Sequence, residues 1–167
     1  MQLNKAHLVY FSPTGTTKKI VHALAEGLSA EQTLRYDLTY TDEKSVQTFT
    51  DGVVILGIPV YAGRVPEDCL ERLSGYTAVD VPTVLVALYG NREFEDALVE
   101  LRDLATAQGF KVIAAGAFIG EHSYSTPERP IAAGRPDADD LRNAVAFGQL
   151  VAEKLDRDDL HTPDIDG

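Results

Sequence analysis

Cysteine is nearly absent from this chain: Cys69 stands alone among 167 residues. One cysteine excludes an internal disulfide and any cysteine-built metal cluster, and it fits a reducing compartment such as the cytoplasm. Basic residues are scarce as well, 15 Lys and Arg against 26 Asp and Glu, for a formal net charge of -11. Nucleic acid and anionic membrane surfaces demand clustered cations, so neither is expected as a partner. The longest apolar run, 53–62, contains Gly57 and Pro59 and is too short to span a bilayer. No charged segment leads into an apolar stretch and cleavage site at the N-terminus, so no secretory leader is expected. Several motifs are missing too. No G-x-G-x-x-G follows the first strand, which argues against a dinucleotide Rossmann site, and no G-x-S-x-G nucleophile elbow occurs. The loop 12–17 has neither the cysteine of a phosphatase nor the acidic cluster of a receiver domain.

What is present is an alternation of strand and helix patterns in a length suited to one domain. Strands are expected over 6–11, 33–38, 53–58, 83–88 and 111–118. The second alternates apolar Leu34, Tyr36 and Leu38 with polar Arg35 and Asp37, as at a half-exposed sheet edge; the third and fourth are continuous Val/Ile/Leu runs, as in strands buried on both faces. Helices are expected over 17–28, 66–73, 93–108 and 137–155, with Gly109 as the stop of the third. The segment 41–52 reads as a polar connection, with one short helix at most, and Asp42 and Glu43 as solvated charge. These elements give an α/β fold: a three-layer, doubly wound, five-stranded parallel sheet in the order 2-1-3-4-5. The domain spans 1–155, and 156–167 reads as an acidic tail. In such a sheet the ligand sits beyond the strand C-termini at the switch point between strands one and three.

Three loops should meet there. The first, Ser12-Pro13-Thr14-Gly15-Thr16-Thr17, joins an apolar strand to a helix. Helix N-terminal amides and the helix dipole favour an anion, hydroxyls of Ser12, Thr14, Thr16 and Thr17 can donate to phosphate oxygens, and Gly15 lets the backbone approach closely. The second, 59–66, holds Pro59, Val60, Tyr61, Ala62, Gly63 and Arg64; the third, 89–94, holds Tyr89, Gly90, Asn91, Arg92 and Phe94. Each of these two joins a tyrosine to a glycine and an arginine, which suits a flat aromatic ligand: rings stack on its faces and loop backbone bonds its polar edge.

These segments resemble the flavodoxins. Ser12, Thr14, Gly15 and Thr17 match the Ser/Thr-x-Thr-Gly-x-Thr phosphate loop of that family, and the chain is similar in particular to flavodoxin-like domains fused to a ferredoxin module. The four-cysteine motifs of that module do not follow the last helix. The resemblance implies FMN as cofactor, with Ser12, Thr14, Gly15, Thr16 and Thr17 on its phosphate. It places Pro59, Val60, Tyr61, Ala62 and Gly63 along one side of the isoalloxazine, and Tyr89, Gly90, Asn91 and Phe94 at its other face and pyrimidine edge. It further implies a peptide flip at Gly63 that offers a carbonyl to the flavin N5–H. Arg64 and Arg92 depart from the family pattern; a cation near the ring stabilises anionic reduced flavin, so a less negative potential is expected.

The implied function is electron transfer between redox partner proteins, with the acidic surface meeting basic docking patches. The alternatives are an FMN-dependent NAD(P)H or quinone-type oxidoreductase and a phosphate-binding module without redox chemistry. The loop 119–136 is longer than a connection needs, and His122, Ser123 and Tyr124 are candidates to cap the flavin or bind a substrate. Cys69 reads as a buried, inert thiol. His7 and His22 read as structural, and Asp137, Asp139 and Asp140 as charge at a helix N-terminus.

Overall fold

A computed structural model describes residues 2–40, 45–90, 93–94, 96–122 and 124–166. Five strands, β1 (Lys5–Tyr10), β2 (Gln32–Asp37), β4 (Val53–Pro59), β6 (Val81–Tyr89) and β7 (Phe110–Ile119), form one parallel sheet in the order β2-β1-β4-β6-β7. Counted within that sheet alone, this is the expected 2-1-3-4-5. Helices α1 (Thr16–Leu28), α2 (Glu67–Leu73), α3 (Ala97–Ala107) and α4 (Ala138–Asp156) complete the three layers. No helix among the described residues is long and apolar enough to cross a membrane.

The central strands are apolar throughout because both faces are covered. In β1, Val9 joins one core with Cys69, Leu73, Leu98 and Leu101, while Leu8 and Tyr10 join the other with Ile20, Leu24 and Val151. The same alternation sends Val54, Leu56 and Ile58 of β4 one way and Val53 and Ile55 the other. Each such side chain contributes about 1.5–3 kcal/mol on burial. β2 lies at the sheet edge with only Leu34 and Tyr36 half-buried, as its alternation predicts.

The segment 41–52 is not merely a polar connection. Residues 41–44, including Asp42 and Glu43, lie outside the described residues, but Gln47–Phe49 is a strand, β3, paired in parallel with β5 (Tyr76–Ala78). Phe49 is fully buried, with ring centroids of His7 at 4.9 Å, Tyr36 at 5.2 Å and Phe110 at 6.0 Å. A single aromatic anchor in a polar stretch carries no periodicity, which is why the pattern concealed it. Helix ends also shift. Pro66 is the N-cap of α2, and α3 begins at Ala97, four residues later than its apolar spacing suggests, with Asp96 as N-cap. Asp137 and Asp140 form a capping box on α4, a more specific role than surface charge. Beyond α4, Ile165 is buried in the core and its carbonyl accepts from Arg102 Nη1 at 2.8 Å.

Candidate functional site

The C-terminal ends of β1, β4 and β6 bring the three loops together. The turn after β1 is built by its own backbone and hydroxyls. The Gly15 amide donates to the Ser12 carbonyl at 3.1 Å, and Gly15 takes φ +81° as N-cap of α1. A non-glycine residue is strained in that conformation. Ser12 faces inward: its Oγ accepts from the Lys18 amide at 3.0 Å, and its own amide donates to Thr39 Oγ1 at 2.8 Å. Thr14 and Thr16 share a hydroxyl hydrogen bond of 3.2 Å.

Thr17 is the informative residue. It is 1% exposed, and its Oγ1 is the one buried side-chain polar atom without a hydrogen-bond partner among the described residues. An unsatisfied buried hydroxyl costs about 1–3 kcal/mol, and this one stands in the first turn of a helix, where amides also lack intrahelical partners. A phosphate monoester would answer that donor set.

The cleft beside this turn is lined by Thr14, Thr16, Pro59, Val60, Tyr61, Leu88, Tyr89, Gly90, Gly120, Glu121 and His122. Seven of the expected site residues are therefore walls of one space. Ser12, Gly15 and Thr17 lie on the same turn without lining it. Ala62, Gly63 and Arg64 continue the second loop away from it: the amide of Tyr61 donates to the Arg64 carbonyl and the reverse, both at 3.0 Å, closing a two-residue turn. Ala62 and Gly63 take φ +50° and +73°, the signs a type I′ turn requires at both positions. Arg64 turns to Glu100 of α3 rather than to the cleft. Phe94 packs edge-on against Tyr89 at 5.4 Å. Asn91, Arg92 and Ser123 lie outside the described residues.

A fourth wall comes from the loop 119–136, of whose candidate residues His122 lines the cleft. The chain leaving β7 folds back across the cleft, so that a Cβ on Gly120 would come within 2.8 Å of Leu88 and 3.4 Å of Thr16. One on Gly90 would meet the His122 ring at 2.4 Å. His122 is held by the Tyr124 amide, which donates to its Nδ1 at 3.0 Å; the neutral ring therefore carries its proton on Nε2. With this wall in place the cleft encloses about 60 Å³, well below the ~300–1,000 Å³ of sites that engulf a drug-sized ligand. The length of 119–136 and the candidates His122, Ser123 and Tyr124 were the sequence signals of this wall; Gly120 and Glu121 carried none.

Tyr61 is 45% exposed, and burial of the rest of the ring, with Cys69 and Asp68 adding to it, raises its phenol above the ordinary tyrosine value. Cys69 is fully buried, and burial pushes its thiol up to about 12, so it stays protonated and unreactive.

No protein-family model and no curated protein matches the chain. Solved structures do match in fold. A flavodoxin from the domain Archaea aligns with TM-score 0.55 and 15% identity over 91% of this chain and 99% of its own. A flavone reductase aligns with TM-score 0.66 and 13% identity over 95% of this chain and 66% of its own. An NAD(P)H:quinone oxidoreductase from Methanothermobacter marburgensis aligns with TM-score 0.55 and 9% identity over 93% and 98%. At these identities the likeness establishes the flavodoxin-like fold.

Proposed function

We propose that this chain is an FMN-binding redox protein. The observation that carries the reading is the buried, partnerless Thr17 hydroxyl in the first turn of α1, set beside a cleft that Tyr61 and Tyr89 line at the switch point of the sheet. Thr14, Gly15, Thr16 and Thr17 hold the phosphate, with Ser12 bracing the turn from beneath. Tyr61 and Tyr89, with Pro59, Val60 and Gly90, border the ring. Bound FMN supplies one- and two-electron chemistry; the protein orients it and limits its access to water.

As an electron carrier the chain meets basic surfaces of partner proteins through its charge of -11. A second reading, a reductase of a small acceptor, draws on the fourth wall: His122 offers an Nε2–H at the cleft, a proton donor that protein-to-protein electron transfer does not need. Titration of the ligand-free chain with FMN and with riboflavin tests the shared premise. Quenching of flavin fluorescence at one FMN per chain, with riboflavin bound at least about 100-fold more weakly, is expected from several charge-assisted hydrogen bonds to phosphate. Equal affinity for the two flavins removes the phosphate site, and no binding of either removes the redox function.

A further inference from the structure

A second groove opens from the same turn. It encloses about 420 Å³ and is lined by Thr14, Thr16, Lys19, Glu121, His122, Ser125, Gly134 and Arg135. Thr14, Thr16, Glu121 and His122 line the flavin cleft as well, so the two spaces are continuous past the phosphate turn.

The new wall is built for rigidity. Along 119–136, the Glu121 amide donates to the Arg135 carbonyl at 2.7 Å and the His122 amide to the Ile131 carbonyl at 3.0 Å. The Ile131 amide donates to Ser125 Oγ at 3.0 Å, which leaves the Ser125 O–H to donate elsewhere. Arg135 is pinned by buried Asp140, Nε to Oδ2 at 2.9 Å and Nη2 to Oδ1 at 2.5 Å. Asp140 is in turn fixed by the capping box of α4. This fork leaves Nη1 of Arg135 unengaged among the described residues. Lys19, one turn along α1, adds a second cation. Glu121 in the lining and Asp140 on Arg135 balance these two cations, so the groove offers free donors rather than a net positive charge. A guanidinium fixed by Asp140, with an ammonium and a hydroxyl beside it at the phosphate turn, is a donor set for a further phosphate.

We propose, resting on the FMN reading, that this groove binds the diphosphate and ribose of a nucleotide, adjoining the FMN phosphate. Two ligands share that chemistry: a pyridine nucleotide bound beside FMN, and the adenylate half of FAD extending the flavin itself.

ADP-ribose, the portion common to both, is the probe. In calorimetry it binds the FMN-loaded full chain, and Lys19→Glu weakens it about tenfold or more, several times more than the long-range loss the same charge reversal imposes on FMN. NADPH competing with ADP-ribose on the FMN-loaded chain assigns the groove to a pyridine nucleotide. FAD binding the flavin-free chain more tightly than FMN, with the advantage lost in Lys19→Glu, assigns it to the extended flavin. The proposal is overturned if ADP-ribose gives no heat and FAD binds no better than FMN. It is equally overturned if Lys19→Glu weakens FMN as much as ADP-ribose, which makes the groove part of the monoester site. A chain that takes no FMN ends the flavin reading alone, and ADP-ribose titration of that chain still decides whether the groove binds a nucleotide.

Discussion

Glu100 of α3 holds Arg64: one carboxylate oxygen accepts from Arg64 Nε at 2.5 Å and the other from the following amide, Val65, at 3.0 Å. Arg64 is thus an answered charge, and its expected effect on a bound flavin is largely cancelled by a carboxylate that is only 16% exposed. Glu100→Gln keeps an acceptor for the Val65 amide but uncovers the guanidinium. The reduction potential of bound FMN then rises, because an uncancelled cation favours the anionic reduced form. Arg64→Ala alone uncovers the Glu100 carboxylate and lowers the potential by a comparable amount, and the double variant returns it close to the starting value. Potentiometric titration of the three variants checks this; a double variant as displaced as Glu100→Gln places the effect in the backbone of the 61–64 turn instead.

Thr17→Val tests the orphaned hydroxyl in two directions. Valine matches threonine in shape and removes the buried oxygen, so the flavin-free chain loses nothing or gains up to about 1 kcal/mol in denaturant unfolding. FMN affinity falls about 10- to 100-fold, the worth of one hydrogen bond to a charged group of about 1.5–3 kcal/mol. Loss of stability together with unchanged FMN affinity assigns Thr17 to the core and not to the ligand.

The fold was legible because its signals are periodic. Both-face burial made β4 and β6 continuous apolar runs, the alternation of Leu34, Tyr36 and Leu38 marked the sheet edge, and Gly15 with its neighbouring hydroxyls marked the turn that opens α1. What escaped notice rests on single residues and on contacts between distant segments. Phe49 anchors β3 without a pattern around it, and α3 begins late because Phe94 leaves the helical stripe to pack on Tyr89. His122 was a candidate over the cleft, but its packing against Gly90, 32 positions away, is a contact that no local rule reports. The same holds for Arg64, whose partner Glu100 is set by how α3 lies against the 61–64 turn.

Helices α1 and α4 approach through two glycines. A Cβ on Gly27 would stand 2.0 Å from the Val145 carbonyl oxygen, and one on Gly148 would stand 2.1 Å from that of Leu24. Backbone atoms cannot swing aside as a side-chain tip does, so the helices must separate. Gly148→Ala is expected to destabilise by roughly 2–4 kcal/mol, above the usual overpacking range of about 1–3 kcal/mol, despite the better helix propensity of alanine. Urea unfolding measures it. A neutral or stabilising substitution shows that this helix pair is not held at the close spacing described.

Asp140 links the loop over the cleft to stability at low pH. The side-chain hydrogen bonds from Arg135 hold its carboxyl at about 2, below the ordinary 3.8. A depressed folded-state value means stability that is fully present above about pH 4 and lost as pH falls toward 2, because the unfolded chain takes up the proton first. The contribution is on the order of 2 kcal/mol at neutral pH. Asp140→Asn therefore lowers stability at pH 7 and loses less than the parent between pH 4 and 2, so the two urea-unfolding curves converge on acidification. Because Asp140 also fixes Arg135, hydrogen exchange at the 121 and 122 amides should speed up in the same variant. Curves that stay parallel down to pH 2, with those amides unaffected, place the acid sensitivity in other carboxylates and separate the loop from the cap of α4.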